Sequence, residues 1–231
     1  MSPAVLVVLM RWPRLGEGKT RLAAQIGAVE AHELHRCFVH DTLSWPAPRP
    51  RVLAVSPDVA AVDVVRSLAP DAAVVQQDHG DLGRRIAGGL RAAFAGGAQC
   101  TVLVGTDSPS LPHGLLMDCI SGASRHGAAM VPAGDGGFVA LALTRRSKQR
   151  CGLAWLDADI AWSTARAAAD TCRAAQRHGL DVAAVAPWYD VDTGADLDRL
   201  HADLRRDPHR AARTLRRLDE WTATVTVERA S

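Results

Sequence analysis

Short, wholly apolar runs alternate with segments of helical spacing along most of this chain, and few folds accommodate that order. Ala4–Leu9, Val52–Val55, Ala72–Val75, Val102–Val104, Ala128–Val131, Phe138–Leu143 and Val182–Val185 are apolar at every position. Strands of that kind are buried on both faces, as in a parallel sheet flanked by helices. Between them the spacing predicts helices over Ala28–Leu43, from Ser56-Pro57-Asp58 towards Leu68, and over Leu82–Phe94. Further helices are expected over Pro112–Arg125, Ala161–His178 and Ala195–Leu204. Asp81 stands where an N-cap belongs, and Gly96-Gly97 where a helix would stop. The class is therefore α/β, a Rossmann-like, mostly parallel central sheet with helices on both faces. The 231 residues suit one large domain over 1–205, followed by an Arg-rich helical tail over 206–231.

Sheets of this class bind ligands at the carboxyl ends of their strands. The segment after the first run, Met10 to Leu22 (MRWPRLGEGKTRL), carries Arg11, Gly16, Gly18, Lys19, Thr20 and Arg21 ahead of a helical stretch. Glycines let backbone approach a ligand closely, and loop N–H groups with Lys and Arg attract anions. Two bases in a first helical turn oppose the helix dipole, so a bound anion gives them a reason to be there. We read the segment as a phosphate grip. Gly18-Lys19-Thr20 looks like the end of a P-loop, but Pro13 stands where the first glycine of that motif would be.

Composition narrows the classes. Lys and Arg number 27 against 25 Asp and Glu, a net charge of +2, which makes no general case for nucleic acid or an anionic membrane as partner. The Arg-rich stretches near Arg145–Arg150 and Arg205–Arg216 read as solvated faces. The five cysteines are scattered and form no Cys-x-x-Cys pair, which fits a reducing cytosol. His32 and His35, three apart, are expected to be a surface or interface pair rather than a metal site. No run reads as a signal peptide or a membrane span, so a cytoplasmic location is expected. The tail and Trp155, Trp162 and Trp188 are candidates for a homodimer surface or an acceptor pocket.

Asp107 follows the wholly apolar run Val102–Val104, between Thr106 and Ser108. A carboxylate there lies at the ligand edge of the sheet, and magnesium takes one or two carboxylates plus phosphate and water oxygens. Asp190 and Asp192 flank Val191 and would face the same way in an extended segment. The expectation is that Asp192 caps the following helix and Asp190 lies nearer the site. Asp135-Gly136-Gly137 is either a ligand turn or a hairpin. Gln77, Gly83 and Arg84 belong to a polar run after the third strand that suits a base-reading or substrate loop.

Six motifs in order resemble one family. They are KTRL (Lys19–Leu22), QDHGDLGR (Gln77–Arg84), GTDSPSL (Gly105–Leu111), PAGDGG (Pro132–Gly137), WST (Trp162–Thr164) and DVDTGADL (Asp190–Leu197). The pattern resembles the DUF2064 family of glycosyltransferase-A-like transferases, including members associated with radical SAM and arsenosugar clusters. It is more remotely similar to phospholactate guanylyltransferases and molybdenum-cofactor nucleotidyltransferases. The resemblance implies a nucleotide-diphospho-sugar transferase (GT-A) fold, with Lys19 and Arg21 on nucleotide phosphates, Asp107 on a divalent metal, and Asp190 or Asp192 as a second acid. Arg11 stands where that family usually has Lys, and Phe138 and Val139 where it often has Tyr.

Three functions follow. The first is nucleotidyl transfer from an NTP to a small phosphate, phosphonate or acid, with Mg2+ or Mn2+ as cofactor and pyrophosphate as leaving group. Lys19, Arg21 and Asp107 would be catalytic. The nucleotide would meet Met10, Arg11, Gly16, Gly18, Lys19, Thr20, Arg21, Gln77, Gly83, Arg84 and Thr106. The acceptor would meet Ser108, Asp135, Gly136, Gly137 and Trp162, and the metal Asp107, Asp190 and Asp192. The second is glycosyl transfer from an NDP-sugar, against which the lack of a second Asp close after Asp107 counts. The third is nucleotide binding without turnover.

Overall fold

The computed structural model describes residues 4–46, 51–55, 59–157 and 159–230. The elements run β1 (Val5–Met10), α1 (Thr20–Ile26), α2 (Ala28–Leu43), β2 (Arg51–Val55), α3 (Val59–Leu68), β3 (Ala73–Gln76), α4 (Leu82–Ala95), β4 (Cys100–Val104) and α5 (His113–His126). They continue with β5 (Gly127–Pro132), β6 (Phe138–Thr144), α6 (Arg145–Cys151), α7 (Ala167–Arg177), β7 (Asp181–Ala184), α8 (Gly194–Arg206) and α9 (Ala212–Ala230). The helix start expected at Ser56-Pro57-Asp58 lies outside the described residues. The chain forms two compact units. One comprises Met1–Arg11, Ala47–Gly105 and Pro112–Tyr189; the other comprises Trp12–Pro46, Thr106–Leu111 and Asp190–Ser231.

The first unit holds the sheet. Among the described residues its order is β3-β2-β1-β4-β6-β5-β7. All neighbours are parallel except those of β6, which runs antiparallel to both β4 and β5. Every residue of β4 and all but one of β1 are buried, as their unbroken apolar sequences require. Ile86, Leu90 and Phe94 of α4 pack on the sheet face that carries Val5, Val7, Leu103 and Leu141, with Trp155 in the same core. On the opposite face α5 approaches closely, and a Cβ on its Gly122 would lie 2.9 Å from that of Ala129. Asp81 caps α4 by accepting from the Arg84 N–H at 2.9 Å, as expected.

The reversed β6 explains Asp135-Gly136-Gly137. The segment is the β5–β6 hairpin turn, in which the Ala133 N–H donates to the Gly137 carbonyl at 2.9 Å and Asp135 accepts from the Gly137 N–H. What the backbone passes so closely is its own chain. Gly136 has φ +88°, and a Cβ there would stand 2.1 Å from the Ala165 carbonyl oxygen. Gly136→Ala therefore forces both a left-handed alanine and a backbone shift. We expect a loss of about 2–3 kcal/mol, readable as a lower urea midpoint with an unchanged slope.

Two expectations need correction in this unit. The helix predicted from Ala161 begins only at Ala167. Ser163 adopts φ +61°, which no continuing helix permits, and the Asp170 carboxylate accepts the Ala161 N–H at 3.1 Å. The basic run at Arg145 is not simply a solvated face. It forms α6, capped by Thr144, and the Arg145 guanidinium donates to the carbonyls of Phe94 and Ala98 at the end of α4.

The second unit is helical. Asp41 of α2, 6% exposed, accepts from the backbone N–H groups of Arg213 (3.2 Å) and Thr214 (2.8 Å) and from the Thr214 hydroxyl (2.7 Å). A side chain of one helix thus caps the first turn of another. Glu30 binds the Arg217 guanidinium through both carboxylate oxygens, so α9 packs as part of this unit. No helix among the described residues is long and apolar enough to cross a membrane.

Candidate functional site

The grip segment builds its shape from three left-handed residues. Gly16 (φ +81°) and Gly18 (φ +72°) turn the loop, and Lys19 (φ +44°) ends it as the N-cap of α1. A non-glycine residue there costs about 1–2 kcal/mol and persists only where its surroundings hold it. The Lys19 side chain is 5% exposed, and its ammonium has three oxygen partners. These are Asp107 Oδ1 at 2.6 Å, the Val191 carbonyl at 2.8 Å and Asp192 Oδ1 at 3.1 Å. The Phe38 ring centroid lies 5.9 Å from Nζ. Arg21, 70% exposed, donates to the other Asp192 oxygen at 2.6 Å.

Two further contacts close the cluster. Ser108 Oγ donates to Asp190 Oδ1 at 2.6 Å, and the Val191 N–H donates to the Asp107 carbonyl at 2.9 Å. All these residues belong to the second unit. Asp192 is not the cap of α8, contrary to expectation. Thr193 is, in a capping box with Asp196, which leaves Asp192 to its two cations. A hydroxyl one position later fits the cap geometry equally well.

Burial and charge set the protonation states. Desolvation works against the Lys19 ammonium, but Asp107 and Asp192 outweigh it and raise its pKa above the usual lysine value. Desolvation would raise Asp107, yet Lys19 holds it below the usual carboxylate range. Asp190 behaves oppositely. Desolvation pushes it up to about 6, with Asp107 and Asp192 adding to the rise and the Ser108 hydrogen bond opposing it. A carboxyl raised on folding favours the folded state only when protonated. That contribution is present below its ordinary value of 3.8 and is lost as pH rises through about 6. Asp190→Asn, free of divalent cation, is therefore expected to melt higher than the wild type at pH 7.5, with the gap closing towards pH 4. A wild type as stable as the variant at pH 7.5 would contradict this.

His32 and His35 are not a surface pair. His35 is buried, faces Asp107 electrostatically, and lies 3.7 Å from where a Gly18 Cβ would be. His32 lines a cavity of about 310 Å³ with Arg14, Gly16, Glu17, Gly18 and Thr20, floored by alanines of α1 and α2. The i, i+3 spacing placed both histidines on one face of α2; which way that face turned was not readable.

Thr106 is buried in the second unit. In the first unit, Met10 is buried and Arg11 exposed. The buried Gln77 amide donates to the carbonyls of Met10 (2.8 Å) and Ala54 (2.9 Å), tying neighbouring strands together. Gly83 answers to packing, since a Cβ there would meet the Leu156 carbonyl at 1.9 Å. Arg84 lines a polar cavity of about 540 Å³ with Gln77, Asp78, His79, Arg91 and Asp157. Trp162 stacks edge-on against Phe138, and Trp155 is core rather than surface.

Among the described residues, no three His, Cys, Asp or Glu side chains are gathered to hold a metal ion by themselves. The acids still fit a hard cation shared with phosphate. They offer only oxygen, Asp107 is 49% exposed, and a cation, the Lys19 ammonium, already stands between Asp107 and Asp192.

A family profile described as "Uncharacterized protein conserved in bacteria (DUF2064)" matches residues 43–164. No curated protein matches the sequence. Among solved structures, the chain is similar to a "putative nucleotide-diphospho-sugar transferase" from Desulfovibrio desulfuricans G20, with TM-score 0.86 and 28% identity over 96% of each chain. It is also similar to 4-diphosphocytidyl-2C-methyl-D-erythritol synthase from Anaerococcus prevotii, with TM-score 0.58 and 10% identity over 88% of this chain and 97% of that one. For the inositol-1-phosphate CTP transferase from T. maritima the TM-score is 0.52, with 15% identity over 90% and 97%. With these last two it shares the fold.

Proposed function

The chain belongs to the DUF2064 family, and we propose that it is a magnesium-dependent transferase that moves a nucleotidyl group from an NTP to a small phosphate, phosphonate or carboxylic acid. The observation that carries this reading is the meeting of Lys19 and Arg21 with Asp107, Asp190 and Asp192 in one cluster. Chemistry that needs positioning and charge, with no separate nucleophile, suits such a set. An acceptor oxyanion would attack the α-phosphorus. The new P–O bond would form as the bond from that phosphorus to the α–β bridging oxygen breaks, releasing pyrophosphate. The acceptor is already anionic, so no general base is required.

Asp107 and an acid of the 190–192 segment would hold the cation, which would neutralise phosphate charge and orient the oxygens. Arg21, exposed and bound at its tip to Asp192, would lean from there onto the leaving phosphates. The fold that the chain shares with two cytidylyl-type transferases supports the reading by analogy. Glycosyl transfer from an NDP-sugar is the second reading, favoured by the name of the 28% identical structure. It is disfavoured by the Ser108-Pro109 that follows Asp107.

A thermal-shift panel with magnesium separates them, because a ligand that binds only the folded state raises the melting temperature with concentration. One NTP shifting the transition above UDP, UDP-glucose and GDP-mannose supports nucleotidyl transfer. A preference for a sugar nucleotide and its NDP supports the second reading, and no shift by any of them sinks both.

A further inference from the structure

The chain has 27 Lys and Arg residues, and only two of them, Lys19 and Lys148, are lysines. One of those two is the buried cation of the cluster. An ammonium is a compact point charge with three donors, whereas a guanidinium is a planar fork. Lys19 uses all three donors on oxygens: two carboxylates and the Val191 carbonyl. It is not among the residues lining the grip cavity beside Gly16, Gly18 and Thr20. A lysine waiting for phosphate would project into open space; this one is enclosed and saturated.

The acids are correspondingly occupied. Asp107 Oδ1 accepts from Lys19, and both Asp192 oxygens are taken, one by Lys19 and one by Arg21. A divalent cation approaching Asp107 and Asp192 meets an ammonium within 3.1 Å of both. Two positive charges that close repel, so the cation must displace the ammonium to bind both acids. Displacement strands a buried ammonium unless another anion receives it. The phosphates of a nucleotide are such an anion.

We propose that Lys19 is a resident counter-ion for Asp107 and Asp192, which makes divalent-cation binding conditional on nucleotide. In the resting protein it holds the two carboxylates together and closed to metal. When nucleotide and cation arrive together, the phosphates take over the ammonium and the cation takes the acids. The exchange is ionic and forms no covalent bond. It rests on the assignment of Asp107 to the metal made above, with Asp192 as the second acid. Lys19 is in this account a positioning residue before it is a phosphate ligand.

Manganese titration followed by EPR of the free ion, without nucleotide, tests it. Lys19→Met uncovers the acids and should bind manganese at least about 10-fold more tightly than the wild type, roughly one unit charge of like-sign repulsion removed at short range. Lys19→Arg keeps the charge and should stay as weak as the wild type. Manganese affinity in Lys19→Met no higher than in the wild type overturns the proposal. Asp107→Asn, titrated with manganese and the NTP giving the largest thermal shift, separates the two levels. If it loses manganese while Lys19→Met gains none, the counter-ion idea alone fails; if it binds manganese as the wild type does, the metal assignment fails with it.

Should Lys19→Met not fold, the wild type answers alone. Labelling with 15N-lysine gives two ammonium signals, and that of Lys19 should be the slowly exchanging one. Magnesium alone should leave it in place, and magnesium with the NTP should shift it. A shift with magnesium alone overturns the proposal.

Discussion

Asp107→Asn is expected to lower pyrophosphate release at least about 100-fold, the scale on which removing one preorganised charge-stabilising group acts, while leaving the fold intact. Asn keeps the size of the side chain and an oxygen that can still accept from the Lys19 ammonium. It loses the charge that a hard cation needs. Stability should change little. Half of the Asp107 side chain is open to solvent, and Lys19 retains Asp192 and the Val191 carbonyl. A melting point within about 3 °C of the wild type, equivalent to roughly 1 kcal/mol at this size, would accompany the loss of rate. An equal fall in both would make Asp107 a structural residue and remove the main support for the metal assignment.

Asp41→Ala tests how α9 is anchored to α2. The substitution removes a buried carboxylate that receives three hydrogen bonds from the start of α9. Thr214, itself fully buried, would keep an N–H and a hydroxyl without that partner. Each stranded buried donor costs about 1–3 kcal/mol, so a total near 3–5 kcal/mol is expected. For a chain of this size that lowers the melting temperature by roughly 6–20 °C. Asp41→Asn should recover part of the loss, since its oxygen can still accept. A loss below about 1 kcal/mol, the net worth of a single ordinary hydrogen bond, would show that α9 is held by its Glu30–Arg217 pair instead.

The alternation of apolar runs with helical spacing was enough to locate the sheet, because a strand such as Cys100–Val104, buried at every position, has no other home. It also delimited α2 as Ala28–Leu43, where Gly27 before it and Ser44 after it both favour an end. It was not enough where side chains override spacing. A left-handed Ser163 and the Asp170 carboxylate delayed α7. A run of charged residues concealed α6, whose start depends on the Thr144 cap. The reversal of β6 lies in pairing, which local sequence does not encode.

Within the site, the residue types were legible and their partnerships were not. Lys19 reads as a grip lysine by its neighbours in sequence, yet it closes onto Asp192, 173 positions away. His35 reads as a surface residue until its helix face is known. Asp192 and Thr193 compete for one cap; Thr193 takes it, and Asp192 goes to the cations. Gln77 and Gly83 carry motif positions, and their contacts are with the chain itself.

Calorimetric titration of the four NTPs into the wild type and into Asp107→Asn, each with and without magnesium, decides whether nucleotide and metal meet at Asp107. One NTP should bind the wild type, magnesium should tighten it, and Asp107→Asn should reduce binding to the magnesium-free level. Binding by no NTP, or equal binding with magnesium by both proteins, would contradict this.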